Sequence, residues 1–174
     1  MPADGGPPLS VFESGAILLY LADKTGQFLA TNLSNRNESL RWLFWQMGGL
    51  GAMAGQNHHF SQYAPQVIPY AIERYVKETA RLYGVLNRHL EDGRDYIADD
   101  YSNADMASYP WVVPHKQQGQ RLSDYPYLAN WFERIKARPA TARAYSRASQ
   151  INTQPVVDEK SRAILFGQDG SSVR

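Results

Sequence analysis

The stretch PYAIERYVKETARLYGVLNRHL, residues 69–90, carries the clearest period in the chain. Ile72, Tyr75, Val76, Thr79, Leu82, Tyr83, Leu86 and Leu90 recur at steps of three and four. On a helix of 3.6 residues per turn they make one apolar stripe. Glu73, Arg74, Lys77, Glu78 and Arg81 fall largely outside it. Glu73 precedes Lys77 by four positions, the order that supports a helix surface. A long helix with one wet face must bury the other, and helices on either side of it in the sequence are the natural partners.

Working outward, Asn35 with Glu38 three positions on reads as a helix start. It leads into Leu40, Trp42, Leu43, Phe44 and Met47, and Gly48, Gly49 and Gly51 are placed to loosen or end that helix. Residues 55–65 are aromatic and His-rich without a clean period. Downstream, Ser102 and Asp105 form a capping-box signature: Ser102 can accept from the amide of Asp105, and Asp105 can reach back to the amide of Ser102. Tyr101 and Met106 stand at the positions of a hydrophobic staple. Asp124, with Pro126 in the first turn, opens a helix carrying Leu128, Trp131, Phe132 and Ile135. Pro139 opens a short last helix to about Ala148. Residues 150–174 are polar apart from Ala163, Ile164, Leu165 and Phe166, and read as a tail.

At the front, a Pro/Gly cluster through Pro8 reads as a loop, and Leu9 to Phe12 alternate as a strand would. A helix follows from about Glu13 to Lys24, with Ile17, Tyr20 and Leu21 on one stripe and Gly26 as its stop. A single strand has to pair with something, and no later segment offers a second one. The expected architecture is mainly α: one strand, one helix, then a bundle of about five or six helices on short loops.

Composition narrows the function classes. The 174 residues are 43% hydrophobic and 20% charged, a globular composition. The net charge is +1 and the basic residues are spread out, so neither nucleic acid nor an anionic membrane is an expected partner. No cysteine is present, which excludes disulfides, thiolate metal sites and a cysteine nucleophile within these residues. No apolar run approaches the roughly 20 residues of a bilayer span, and the first residues lack the character of a signal peptide, so a cytoplasmic location is expected.

Glu13 and Ser14 stand at the entry to a helix, where unpaired amides and the helix dipole favour a negative group. They read either as a plain helix start or as a site for a free α-amino acid end. In the second case the Ser14 amide and hydroxyl meet the carboxylate, and Glu13 meets the ammonium. Arg74 reads as a solvated charge within reach of Glu78. Trp42, Phe44 and Trp45 read first as core or dimer-packing residues, with one of them lining a second-substrate site as the alternative. His58 and His59 are adjacent, do not share a face and have no third ligand at metal spacing, so no metal is expected. Capping accounts for Asp105.

Residues 11–22, Val-Phe-Glu-Ser-Gly-Ala-Ile-Leu-Leu-Tyr-Leu-Ala, resemble the end of the thioredoxin-like domain of glutathione transferases, where the last strand runs through a Glu-Ser turn into a helix. The Ser102/Asp105 box resembles the cap of the sixth helix in that superfamily. Residues 41–46, 55–60 and 161–168 are similar to the bacterial nu class, which includes glutathione-dependent disulfide-bond oxidoreductases. The resemblance covers almost the whole chain, in the expected order.

It implies residues 1–31 as a remnant of the thioredoxin-like glutathione-binding domain, 32–150 as the all-helical C-terminal domain and 151–174 as a C-terminal tail. It implies glutathione as co-substrate, held by Glu13, Ser14 and Arg74, with Gln46 a weaker candidate: a glutamine touches glutathione in some members, at the position that Met47 matches most directly here. It implies a small disulfide or electrophile as second substrate, and a homodimer. Members carry most of a thioredoxin-like domain ahead of the point where this chain begins, including the residues near the glutathione sulfur. The expectation is therefore an N-terminally truncated chain without catalytic residues of its own, weak or inactive alone. The alternative is a non-catalytic helical domain acting in binding or dimerisation.

Overall fold

Along the 69–90 stretch the expected stripe turns inward. Thr79, Leu82, Tyr83 and Leu86 of α4 (Pro69–His89) are buried, and Leu90 follows them into the core at the start of a short 3-10 turn. Glu73 and Lys77 pair on the wet face. The computed structural model describes residues 5–151 and 158–167. The other α-helices in that range are α1 (Ser14–Thr25), α2 (Leu33–Trp45), α3 (Gly51–His58), α5 (Asn103–Val112), α6 (Pro126–Lys136), α7 (Pro139–Ile151) and α8 (Glu159–Phe166). They fall into two compact units, the first ending at Ile135 and the second starting at Lys136. None is long and apolar enough to cross a membrane.

In the first unit α4 packs on α3, and α2 packs on α5. One core, built on Leu50, Tyr83, Leu86, Val112, Leu128 and Trp131, runs between them. Thr79 breaks the apolar stripe of α4 for a reason: its hydroxyl accepts from the buried Asn57 amide at 3.0 Å, and Asn57 also donates to the Gln118 carbonyl at 3.0 Å. The Tyr83 hydroxyl donates to Gln118 Oε1 at 2.9 Å. This network pins the loop after α5 onto α3 and α4, and satisfies polar groups that would otherwise be costly to bury.

Helix α5 begins with the expected capping box, and Asp105 does more than cap. Its Oδ2 accepts from the Ser102 amide at 2.9 Å and the Ser102 hydroxyl at 3.0 Å. Its Oδ1 accepts from the Ile97 amide at 2.9 Å and from Trp131 Nε1 at 2.8 Å. One fully buried carboxylate thus joins α5, the loop before it and α6. Burial pushes its pKa above the usual carboxylate value, and the four donors act against that shift.

Several expectations are corrected. Residues 9–12 form no strand: among the described residues no strand is present to pair with them, and Leu9 and Phe12 stay 61% and 78% exposed. Helix α2 starts at Leu33 rather than Asn35, because the Asn32 side chain is the cap and accepts from the Asn35 amide at 2.9 Å. The glycines after Met47 loosen that helix rather than end it. The backbone passes through a π-helical turn, Gln46–Leu50, directly into α3, and a second π-helical turn covers His59–Tyr63. The aperiodic look of residues 55–65 is therefore that of a partly exposed segment wound from α-helix into a π-helical turn, with Asn57 its one buried residue.

Helix α6 starts at Pro126 rather than at Asp124, which closes a 3-10 turn, and its first amides are met from elsewhere: Asn87 Oδ1 on α4 accepts from Tyr127 at 3.0 Å and Leu128 at 3.1 Å. In the second unit, the expected tail contains α8, capped by the Asp158 side chain on the Ser161 amide at 2.7 Å. Residues 152–157 and 168–174 lie outside the described residues.

The α1–α2 connection is held by α5. Gly26 follows α1 with its amide returned to Ala22. Phe28 sits at φ 66°, its carbonyl accepts from the Asn103 amide at 2.9 Å, and Asn103 Nδ2 donates to the Leu18 carbonyl at 3.3 Å. These bonds fix the orientation of α1, and so the direction in which its N-terminus points.

At the far end of α4, His89 lies on the Trp42 ring at 4.1 Å between centroids, with Nε2 2.7 Å from the Ile97 carbonyl. Arg94 lies 3.0 Å from the same nitrogen, and ties Glu38 (2.8 Å) and Asp92 (2.7 Å). Burial lowers the His89 pKa, with Arg94 adding to the shift and the Ile97 carbonyl, Glu38 and Asp92 opposing it. The folded protein therefore takes up this proton less readily than the unfolded chain, whose histidines titrate near about 6.5. The stability tied to neutral His89 is complete above that pH and is lost as pH falls below it. The melting temperature is expected to drop between about pH 7 and pH 5.5. His89→Gln should flatten part of that slope, with His58, also lowered by burial, supplying more of it. Equal slopes for wild type and variant would rule this account out.

Candidate functional site

Among the described residues, no side chain caps the N-terminus of α1. Glu13 precedes the helix at φ 67°, ψ 120°, and makes no side-chain cap. A non-glycine residue in that region carries strain of about 1–3 kcal/mol, which surrounding structure has to hold in place. Only the fourth amide is served in the usual way, Ile17 donating to the Glu13 carbonyl at 2.9 Å. The earlier amides of α1 point out of the helix beside the exposed Ser14 hydroxyl and the exposed Glu13 carboxylate. This corner joins donors for an anion and a carboxylate for a cation within two consecutive residues.

Met47 backs it. Ser14 Oγ donates to Met47 Sδ at 3.7 Å, and a Cβ on Gly15 would stand 3.2 Å from the same sulfur. Gly15, itself buried, is what lets α1 approach the π-helical turn so closely. That turn sorts its two candidates: Gln46 is 2% exposed and faces inward, whereas Met47 is half-buried and meets Ser14. The resemblance points to this position without saying which neighbour it touches; the contact itself depends on how α1 docks.

Arg74 lies near the start of α4 with its side chain 56% exposed, 3.9 Å from Glu78, which Arg81 also bonds at 2.7 Å. The structure brings Glu13, Ser14 and Met47 together; Arg74 it places against Glu78. Trp42 and Trp45 meet edge to face at 4.9 Å and pack on the core, while Phe44 is 64% exposed. His58 turns to Tyr63 and His59 to Phe60. Among the described residues, no three His, Asp or Glu side chains gather as a metal site needs.

No family model matches the chain. The disulfide-bond oxidoreductase YfcG of Escherichia coli is 58% identical over 147 residues, covering 84% of this chain and 68% of that protein. This chain belongs to the glutathione transferase superfamily. A second Escherichia coli protein, the disulfide-bond oxidoreductase YghU, is 40% identical over 144 residues, and there the match covers 50% of the relative's length.

Solved members of the superfamily agree in fold. A glutathione transferase from Burkholderia graminis, crystallised with two glutathione molecules per subunit, matches 80% of this chain and 61% of its own at a TM-score of 0.73 and 40% identity. A glutathione transferase from Pseudomonas putida, with one glutathione disulfide per subunit, matches equally well over 63% of its chain. The helical architecture is thus that of the superfamily's C-terminal domain. The chain spans about three-fifths of the length of these solved relatives.

Proposed function

We propose that the Glu13–Ser14 corner binds the γ-glutamyl end of glutathione, within a cytoplasmic homodimeric protein that uses glutathione to reduce small disulfides or conjugate electrophiles. The carrying observation is the start of α1, uncapped among the described residues, with Glu13 held at φ 67°. The ligand's α-carboxylate meets the Ser14 amide and hydroxyl, and its ammonium meets Glu13. Arg74 supplies a third contact, its guanidinium reaching a second carboxylate of the tripeptide. Residues 1–31 carry the γ-glutamyl corner and residues 32–150 the helical domain it docks on.

Disulfide reduction fits what the relatives hold in their crystals: two glutathiones in one, glutathione disulfide in the other. One glutathione thiolate attacks a substrate sulfur and expels the first thiol. A second glutathione then attacks the mixed disulfide, leaving glutathione disulfide and the second thiol. The residues assigned here bind the co-substrate; none is assigned a part in activating its sulfur.

Titration calorimetry with glutathione tests the reading. Glu13→Gln and Arg74→Ala are each expected to weaken binding about tenfold, the effect of losing one charge-assisted bond of roughly 1.4 kcal/mol. Helix content by circular dichroism should be unchanged. Wild-type affinity in both variants would show that the ligand binds elsewhere.

A further inference from the structure

We propose that Met47 is a modification site: a hydroperoxide oxidises its thioether to the sulfoxide, and this closes the Glu13–Ser14 corner to the glutathione carboxylate. The inference rests on the glutathione reading above.

The geometry is specific. Met47 Sδ accepts from the Ser14 hydroxyl at 3.7 Å, and it fills the space over Gly15. A thioether is a weak acceptor, so it parks the hydroxyl without competing for it. A ligand carboxylate is a charged acceptor about twice as strong as a neutral one, and takes the hydroxyl over on binding. Met47 is half-buried and Ser14 exposed, so a small peroxide reaches the sulfur from the helix-start side. The 174 residues contain no cysteine, so within them the methionine thioethers are the sulfur atoms open to oxidation.

Oxidation breaks the peroxide O–O bond. One oxygen bonds to the methionine sulfur through a sulfur lone pair, and the other leaves as water, or as an alcohol from an alkyl hydroperoxide. The sulfur loses two electrons and the peroxide gains them. The new sulfoxide oxygen is a strong acceptor beside Ser14. It holds the Ser14 hydroxyl and turns the negative end of the S–O dipole toward the place of the carboxylate. Methionine sulfoxide reductase, supplied with a dithiol, reverses the change: the dithiol becomes a disulfide and the oxygen leaves as water.

The experiment compares glutathione affinity by calorimetry before and after mild hydrogen peroxide treatment, in wild type and Met47→Leu, with peptide mass spectrometry locating each added oxygen. In wild type, oxygen is expected on Met47, with affinity falling about tenfold and recovering after sulfoxide reductase. Met47→Leu keeps the volume but has no sulfur to oxidise, so its affinity, whatever its untreated value, should not respond to peroxide. Met53 and Met106 remain in both proteins as internal controls. If untreated wild type binds no glutathione, the site reading fails and takes this inference with it. If it binds, the inference alone is overturned by any of three results: Met47 staying unmodified, oxidised Met47 leaving affinity unchanged, or Met47→Leu losing affinity to peroxide as wild type does.

Discussion

Asp105→Ala is expected to lower the stability of the first unit by about 4 kcal/mol, measured by urea denaturation followed through tryptophan fluorescence. The carboxylate is fully buried and takes four hydrogen bonds from three residues, Ile97, Ser102 and Trp131. Truncation strands two backbone amides and the indole N–H in a site without exposed surface. Each orphaned donor costs roughly 1–3 kcal/mol, less what the Ser102 hydroxyl and local relaxation recover. Relief from burying a charge, visible in the raised pKa, offsets a part of that loss. Set against a typical domain stability of about 5–15 kcal/mol, the change brings the protein close to unfolding at growth temperature. Asp105→Asn keeps one acceptor oxygen for Ile97 and Trp131 while presenting an amide to the Ser102 N–H, and should lose roughly half as much. A midpoint within about 1 kcal/mol of wild type for the alanine variant would mean that Asp105 is only a local cap.

Gly51→Ala is expected to destabilise by about 1–3 kcal/mol, although alanine is the better helix former. A Cβ there would stand 2.6 Å from Gln46 Nε2, 3.1 Å from Trp111 Nε1 and 3.2 Å from the Gln46 carbonyl oxygen. Gln46 is 2% exposed and has nowhere to swing, so the strain falls on the π-helical turn itself. Gly84 provides the control. It lies well inside α4, and a Cβ added there would meet no heavy atom within 4 Å. Gly84→Ala should therefore stabilise by about 0.5–1 kcal/mol through the entropy of the unfolded chain. Opposite signs for the two substitutions in parallel denaturation curves are the expected result. A shared sign would mean that the space around Gly51 is not closed.

Each of these two residues was half legible. The Ser102/Asp105 spacing announces a cap, because both partners of a capping box lie within one turn. The Trp131 bond to the same carboxylate spans 26 positions, and no local pattern encodes it. Gly51 looks like a helix breaker, because glycine weakens helices wherever nothing presses on the missing side chain. Here Gln46 and Trp111 press on it, and the glycine permits continuous winding instead of ending it. At the candidate site the same division holds: Glu13 and Ser14 are adjacent and mark themselves, whereas Met47 joins them from 33 positions away.

What the sequence determined by itself is the set of helices that carry a strong period or a local cap: α4 by its stripe, α5 by its box, α6 by Pro126 and its apolar face, and the stop of α1 at Gly26. These follow from interactions within a few residues, which are present whatever the rest of the chain does. Only the tertiary structure decided the rest. Residues 9–12 form no strand without a partner, Asn87 on α4 caps α6 from 40 positions away, and the Gly-rich run winds on as a π-helical turn. The same level of structure decided that the start of α1 rests on a methionine sulfur. The physical reason is common to all four. A strand edge, an orphan amide, a glycine and a hydroxyl each leave hydrogen-bonding capacity or space open, and whether a distant part of the chain fills it is decided only by folding.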